Sequence, residues 1–369
     1  MTVTLYGLPH SLYTGKARSY FLKAGIEFTE QVNAGAHYSN VVLPKAGNRR
    51  GIPTIELSDG EVIRDSTAII DHFEEKRSGE FSPAGLKQNF ISRLFDVIGM
   101  EGLLRPAMHY RWDFPENEPL LKFHFAMMFS GHPEKDAITE KSMNRMRNAG
   151  QSFGAVPDAF PLVESLYEEF IEVMNQHFAN QPYLLGGKPS IGDFGLIAPL
   201  FAHLARDPAP LAILQQRGLE LLRWVERMNR PNADAGEFEG VDEAYVADDE
   251  IPETLLAALK HIAVDFMPET RAAAVFTNQW LDSEKPEAGS TAERAIGLAD
   301  FEVRGQTIKA IVQPYRFYLL QRLFAIYDGA GSAQGELDTL LERIDMADLM
   351  SLRLSREIGR SDNLEVWLD

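Results

Sequence analysis

The sequence predicts an α/β domain at the start of the chain, followed by an all-α domain and a mostly helical extension with a β-hairpin. The first prediction rests on a strand, helix, strand, strand, strand, helix order of patterns, and the others on long runs with helical spacing of apolar residues. The length of 369 residues is enough for two or three domains. We place these at residues 1–78, 84–230 and 251–369.

The first unit begins with a short apolar strand pattern at residues 3–6. Residues 11–24 carry apolar side chains along one helical stripe, and Gly25 follows as a helix-ending residue. Residues 26–32 alternate as a strand does. Lys16 and Arg18 are expected to be surface charges of this helix.

Residues 51–66 carry the clearest sign of a binding site. Pro53 stands at the start of a strand pattern, and because proline has no N–H donor, it marks an edge or a special backbone there. A cis Ile52–Pro53 bond would turn the N–H and C=O of Ile52 towards an extended peptide. Asp65 and Ser66 begin the next helix, where a hydroxyl and the positive helix end suit a carboxylate. These residues predict a site for a small peptide with an acidic end.

The second and third units are predicted from helical patterns. Ser190 and Asp193 form a capping box before the apolar run 194–204, which indicates a buried helix. In the extension, a hairpin is predicted within residues 301–312, and the helix at 315–327 has too many apolar groups for an exposed tail. We therefore expect the extension to pack on the helical domain. Its other predicted helices are residues 251–266, 268–281, 335–344 and 347–359.

The segment around Pro53, Asp65 and Ser66, together with residues 182–194, resembles the glutathione S-transferase superfamily. The resemblance implies a thioredoxin-like first domain, an all-α glutathione-transferase-like domain and reduced glutathione as co-substrate, with no metal. It implies an enzyme that stabilises the glutathione thiolate and conjugates it to a small hydrophobic or electrophilic molecule. It also implies a homodimer, although the long extension leaves a monomer as the alternative.

The resemblance assigns thiolate stabilisation to Ser11, at the expected N-terminus of the first helix. A hydroxyl donor and a helix N-terminus both favour an anion, which supports this role. A helix cap alone is the other interpretation of Ser11, and the two are compatible. Tyr6 and Tyr13 are the alternative hydroxyl donors.

The resemblance also assigns the parts of the peptide. The backbone of Ile52, next to Pro53, would pair with the cysteinyl part, and Asp65 and Ser66 would bind the carboxylate and amine of the γ-glutamyl part. Arg49, in a basic loop, would attract the glycyl carboxylate. A plain helix cap and a solvated basic surface are the alternative interpretations.

The acceptor pocket is expected in the cleft between the two domains, and the extension is expected to cover part of that cleft. The densest mixed polar and aromatic segment of the helical domain would supply its wall. A packed helix end, with the arginine in a salt bridge, is the alternative. The four candidate residues are His109, Tyr110, Arg111 and Trp112.

Composition restricts the other classes of function. The chain has no Cys, which excludes disulfides, thiolate metal sites and a nucleophilic thiol. A net charge of −18 argues against nucleic acid and anionic membranes as partners. With no signal-peptide pattern, a cytoplasmic location is predicted. Two further hypotheses remain: a non-enzymatic binding or scaffold protein of this fold, and a glutathione-dependent isomerase or dehalogenase.

Overall fold

The computed structural model describes residues 2–231 and 237–369. It contains eight strands in these ranges: β1 Val3–Tyr6, β2 Phe28–Gln31, β3 Thr54–Leu57, β4 Val62–Arg64, β5 Gly297–Val303, β6 Gln306–Val312, β7 Ile358–Ser361 and β8 Leu364–Trp367. The α-helices of the first unit are α1 Leu12–Lys23, α2 Gly35–His37, α3 Leu43–Lys45 and α4 Ser66–Lys76. The helices that follow are α5 Leu86–Val97, α6 Leu104–Trp112, α7 Glu118–Met127, α8 Lys135–Gln151, α9 Phe160–Phe178, α10 Ile191–Pro199, α11 Pro208–Arg217, α12 Leu219–Met228, α13 Glu253–Glu284, α14 Tyr315–Gly329 and α15 Gln334–Arg343.

The first unit is built on a four-stranded sheet with the order β2-β1-β3-β4. Strands β1 and β2 are parallel, and the other neighbouring pairs are antiparallel. Leu5 pairs with Ile55 in the centre of the sheet, and both side chains are completely buried. Helices α1 and α4 pack against each other beside this sheet. This arrangement confirms the predicted thioredoxin-like domain.

Helix α10 lies between the first unit and the helical region, in contact with α1 and α5. Its predicted capping box is confirmed. The Asp193 carboxylate accepts hydrogen bonds from the Ser190 N–H at 2.8 Å and from Trp224 Nε1 at 3.1 Å. Burial raises the pKa of Asp193 to about 6, against the lowering effect of these hydrogen bonds. The cap thus holds the start of a helix in which every residue is buried.

Lys16 corrects one expectation, because it is not a surface charge. Its side chain is completely buried, and Nζ donates to Asp96 Oδ1 at 2.5 Å and to Thr67 Oγ1 at 2.9 Å. Lys16 lies on α1, Thr67 on α4 and Asp96 on α5, so the ammonium group joins the first unit to the helical region. The spacing of apolar residues along α1 could not predict this ion pair, because its carboxylate, that of Asp96, comes 80 residues later.

The extension contains fewer helix breaks than predicted. The helices expected at 251–266 and 268–281 form the single helix α13, with Pro268 inside it. Phe266, Met267 and Thr270 are buried on both sides of the proline. Helix α13 packs against α9 and β5, and this tertiary packing outweighs the local preference for a break.

The helix predicted at 347–359 is wrong. A 3-10 turn at Leu349–Ser351 precedes a hairpin of β7 and β8 instead. The two residues between these strands, Asp362 and Asn363, have φ of 47° and 64°, which is the backbone of a two-residue hairpin turn. This hairpin, residues 358–367, packs on the first unit, where Leu364 meets Gly47. Within the described ranges, none of the helices has both the length and the apolar character of a membrane span.

Candidate functional site

The backbone at Ile52, just before β3, and the start of α4 form one site. The Ile52–Pro53 bond is cis. The Asp65 N–H donates to the Pro53 carbonyl at 3.0 Å, which joins the two segments. Ile52 is half-buried, and its own N–H and C=O have no hydrogen-bond partner within residues 2–231 and 237–369. The backbone at Ile52 is therefore able to pair with an extended peptide.

Asp65 caps α4 from an uncommon backbone conformation. Its φ is 86°, which few residues other than glycine adopt, and such positions are frequent at functional sites. Oδ1 accepts from the N–H groups of Thr67 at 3.0 Å and Ala68 at 3.2 Å. Oδ2 accepts from the Tyr315 hydroxyl, at 2.9 Å, on helix α14. The extension thus contacts the carboxylate that the sequence predicts to bind the ligand.

Ser66 is the first residue of α4 and is completely buried. Its Oγ has no hydrogen-bond partner among the residues that the structure describes. A buried hydroxyl without a partner costs free energy, and most buried polar atoms are paired. The hydroxyl stands at a helix N-terminus, so a ligand carboxylate would supply the missing partner. Ser66 therefore fits the acidic end of a peptide such as glutathione.

The three candidate thiolate donors have different surroundings. Ser11 is half-buried at the N-terminus of α1, where its Oγ accepts from the Thr14 N–H at 3.3 Å. The Tyr6 hydroxyl donates to Glu56 Oε2 at 3.0 Å. The pKa of Tyr6 is raised to about 12, mainly by burial and, to a smaller extent, by Glu56. Burial also raises the pKa of Tyr13, as do the carboxyl groups of Glu101 and Asp65. The Tyr6 hydroxyl is thus already hydrogen-bonded to Glu56, whereas Tyr13 lies close enough to Asp65 to feel its charge.

Glu101 adds a carboxyl group that the sequence did not single out. It is 3% exposed, in a π-helical turn after α5. Burial raises the pKa of Glu101 to about 8, Arg316 lowers it, and Glu269 and Asp65 raise it further. The backbone carbonyl of Glu101 accepts from Arg316 on α14 at 3.2 Å, so the extension holds this turn as well.

We expect Glu101→Gln to flatten the pH dependence of stability. The unfolded chain releases the Glu101 proton near pH 4.5, whereas the folded protein keeps it until about pH 8. Stability therefore falls as the pH rises through this window, with a slope of at most about 1.4 kcal/mol per pH unit from this group. Urea unfolding at pH 5.5 and 7.5 measures the fall, and exposed Glu357→Gln is the control. Equal slopes in Glu101→Gln and the unaltered protein would contradict this prediction.

The terminal hairpin places a carboxylate among arginines beside the site. Glu365 is 6% exposed and accepts from Arg64 at 2.7 Å, from Arg49 at 3.2 Å and from Arg360 at 2.8 Å. Asn363, in the hairpin turn, accepts from the Arg64 N–H at 3.0 Å. Arg49 is thus paired within the chain. Sequence analysis missed this cluster, although the Asp362–Asn363 pair is a hairpin signal.

The four predicted pocket residues lie on α6 and are buried. His109 bonds Asp113 at 3.0 Å and Glu164 at 2.9 Å, and the ring of Tyr110 stacks on that of Phe114. These contacts place His109 and Tyr110 inside the helical region.

Arg111 and Trp112 have different surroundings. Arg111 pairs with Asp207 at 2.7 Å, and it also donates to the His10 carbonyl at 2.9 Å, next to Ser11. Trp112 lines an open pocket of about 250 Å³ with Arg111, Phe114 and Arg147. Arg111 therefore joins the helical region to the loop before α1. Within the described parts of the chain, no cluster of three or more acidic or histidine side chains is arranged for a metal ion.

Comparisons with known proteins address the first unit most directly. Residues 5–81 match the family model described as glutathione S-transferase, N-terminal domain. This segment contains Ser11, Pro53, Asp65 and Ser66. A comparison with curated proteins finds no match.

Several solved structures are similar to the chain. A glutathione S-transferase from Xanthobacter autotrophicus Py2 is 21% identical, with a TM-score of 0.32, and the match covers 61% of this chain and 91% of that one. A β-etherase from Sphingobium sp. strain SYK-6 is 18% identical, with a TM-score of 0.42 and coverage of 62% and 95%. A glutathione S-transferase from Methylobacterium radiotolerans, in complex with glutathione sulfonate, is 15% identical, with a TM-score of 0.36 and coverage of 68% and 100%.

Proposed function

We propose that this chain is a member of the glutathione S-transferase superfamily, whose N-terminal-domain model matches residues 5–81, and that it binds reduced glutathione and conjugates it to an electrophilic small molecule. The observation that carries the proposal is the buried Ser66 hydroxyl without a partner among the described residues, at the N-terminus of α4. It stands near the backbone of Ile52, whose N–H and C=O have no hydrogen-bond partner among the described residues, and the two together suit a γ-glutamyl peptide. The predicted homodimer and the cytoplasmic location stay predictions.

The peptide would lie between the backbone at Ile52 and the N-terminus of α4. Its cysteinyl part would pair with the N–H and C=O of Ile52, as one strand pairs with another. The γ-glutamyl carboxylate would accept from the Ser66 hydroxyl and face the positive end of α4. The ammonium group of the same part would face the Asp65 carboxylate. The carboxylate, an acceptor, thus meets a donor, and the ammonium group, a donor, meets an acceptor.

The thiol would be activated at the N-terminus of α1. A free cysteine thiol has a pKa of about 8.5, so most of it is protonated at neutral pH. A hydrogen bond from the Ser11 hydroxyl and the positive end of α1 both favour the thiolate. The proton of the thiol leaves to solvent, and the thiolate attacks the electrophilic carbon to form the carbon–sulfur bond. With an aryl halide the carbon–halogen bond breaks and halide leaves; with an epoxide or an enone a carbon–oxygen or π bond breaks, and the anion formed takes up a proton from solvent.

We expect Ser66→Ala to weaken the binding of reduced glutathione by at least about tenfold, because it removes a hydrogen bond to a charged carboxylate. Calorimetric titration at neutral pH measures the dissociation constant. Ser58→Ala is the matched control, since Ser58 is exposed in the turn between β3 and β4. Equal affinity in Ser66→Ala and the unaltered protein would contradict the binding mode.

A binding or scaffold protein without transferase activity is the second candidate. The contacts of Asp65 with Tyr315 and of Arg49 with Glu365 favour it, because the extension already holds two of the predicted ligand groups. Turnover of aryl halide, epoxide or enone electrophiles with reduced glutathione separates the candidates. Binding without turnover of any electrophile would favour the binding protein.

A further inference from the structure

The extension brings a further arginine, Arg294, to the backbone just before Ile52. Arg294 is exposed and lies shortly before β5. One of its Nη atoms lies 3.4 Å from the carbonyl oxygen of Arg50, and a Cβ added to Gly51 would be 3.3 Å from the same atom. The guanidinium group therefore lies against the backbone immediately before Ile52.

Arg294 completes a cluster of four arginines with a surplus of positive charge. Arg49, Arg64 and Arg360 share the single carboxylate of Glu365. Burial lowers the pKa of Arg49, and the neighbouring charge of Arg294 lowers it further. Glu293 contributes a nearby negative charge, without reaching hydrogen-bond distance of Arg49. Among the described residues, the one carboxylate that forms ion pairs with this cluster is Glu365, and Arg294 adds a fourth guanidinium group beside Arg49, which favours an added anion.

Among these four arginines, Arg294 differs in its partners. Each of the other three forms an ion pair with Glu365, whereas Arg294 has no ion pair within the described parts of the chain. It donates to the backbone carbonyl of Arg50 at 3.4 Å. A guanidinium group offers five N–H donors in a planar fork that matches a carboxylate. Arg294 therefore has donors to spare for a ligand.

We propose that Arg294 binds the C-terminal carboxylate of the peptide ligand. The inference rests on the proposed function, in which Ser66 holds the γ-glutamyl end and Ile52 pairs with the cysteinyl part. The opposite end of an extended peptide then continues along the backbone before β3, from Ile52 towards Gly51, by about 3.3 Å per residue. Arg294 lies at Gly51, whereas Arg49 is paired with Glu365. The extension thus supplies a ligand anchor that the first unit itself does not.

A cycle of two ligands and two proteins tests this role. The ligands are reduced glutathione and its glycyl amide, which lacks the C-terminal charge, and the proteins are the unaltered chain and Arg294→Gln. We expect Arg294→Gln to weaken the binding of glutathione about tenfold and that of the amide less than twofold, because the lost bond is one to a charged carboxylate. Calorimetric titration at a fixed, physiological salt concentration gives the four dissociation constants.

Arg304→Gln is the matched control. Arg304 is also exposed on the extension, but its partner is Glu169 on α9. The Arg304→Gln substitution removes the same charge away from the site, so both ligands should bind to this variant as they do to the unaltered protein. If Arg294→Gln weakens both ligands equally, the arginine acts through the general field or the fold, and the proposal for Arg294 is overturned. If neither ligand binds to the unaltered protein, the proposed function itself fails.

Discussion

Ser11→Ala is expected to lower turnover by about 10²-fold and to leave the affinity for reduced glutathione nearly unchanged. The reason is that the hydroxyl stabilises charge on the sulfur, and loss of one such preorganised donor costs about 10²- to 10³-fold in rate. Affinity is retained because Ser66 and Ile52 hold other parts of the peptide. Steady-state kinetics with an accepted electrophile, together with titration of glutathione, measures both quantities.

Ser11→Gly separates the chemical role of Ser11 from its role as a helix cap. The Ser11 Oγ accepts from the Thr14 N–H, so alanine also removes the cap of α1, at about 1 kcal/mol. Glycine at this position costs only a few tenths of a kcal/mol. Both variants should therefore lose turnover equally while differing in stability. Unchanged turnover in both would assign the role to a tyrosine, and Tyr13 would be tested first because Tyr6 is bonded to Glu56.

Lys16→Met should lower the free energy of unfolding by about 3–5 kcal/mol, because it leaves the buried Asp96 carboxylate without its ammonium partner. Lys16 is completely buried, and the side chain of Asp96 is 3% exposed. Urea unfolding measures the change. Arg18→Met is the control on the same helix, because its pair with Glu30 is partly exposed and such pairs contribute about 1 kcal/mol or less.

The double variant Lys16→Met with Asp96→Leu tests the reason for the loss. Replacing both members of a buried pair by apolar groups is often neutral, since no charge is left without a partner. The double variant should therefore regain most of the stability lost in Lys16→Met. A loss of less than about 1 kcal/mol in Lys16→Met alone would show that the pair does not hold the first unit to the helical region.

Features that depend on neighbouring residues were predictable from the sequence. The capping box of Ser190 and Asp193 and the helix starts at Ser11 and Asp65 all have their signal within a few residues. The order of strands and helices in the first unit follows from the same kind of local pattern. This is why the thioredoxin-like domain and the position of Ser66 could be predicted.

Features that depend on distant partners were not predictable. Lys16 looks like a surface residue until Asp96 is placed beside it. For α6, the alternative of a packed helix end with Arg111 in a salt bridge could be stated, but its partner Asp207 lies 96 positions later and could not be named. The contacts of the extension with the first unit join residues that lie still farther apart in the sequence. Arg64 and its partner Glu365 are separated by 301 positions, beyond any pattern in a local window.

This separation has a consequence for the order in which the protein is made. Ribosomes add about 5–20 residues per second, and domains near the N-terminus generally fold first. The first unit therefore emerges with Arg49 and Arg64 facing water, and Glu365 reaches them only at a much later stage of synthesis. During that interval Asp65 likewise lacks its hydrogen bond from Tyr315 on the nascent chain. A glutathione molecule bound at that stage would meet the side chains of Arg49, Arg64 and Asp65 before the extension contacts them.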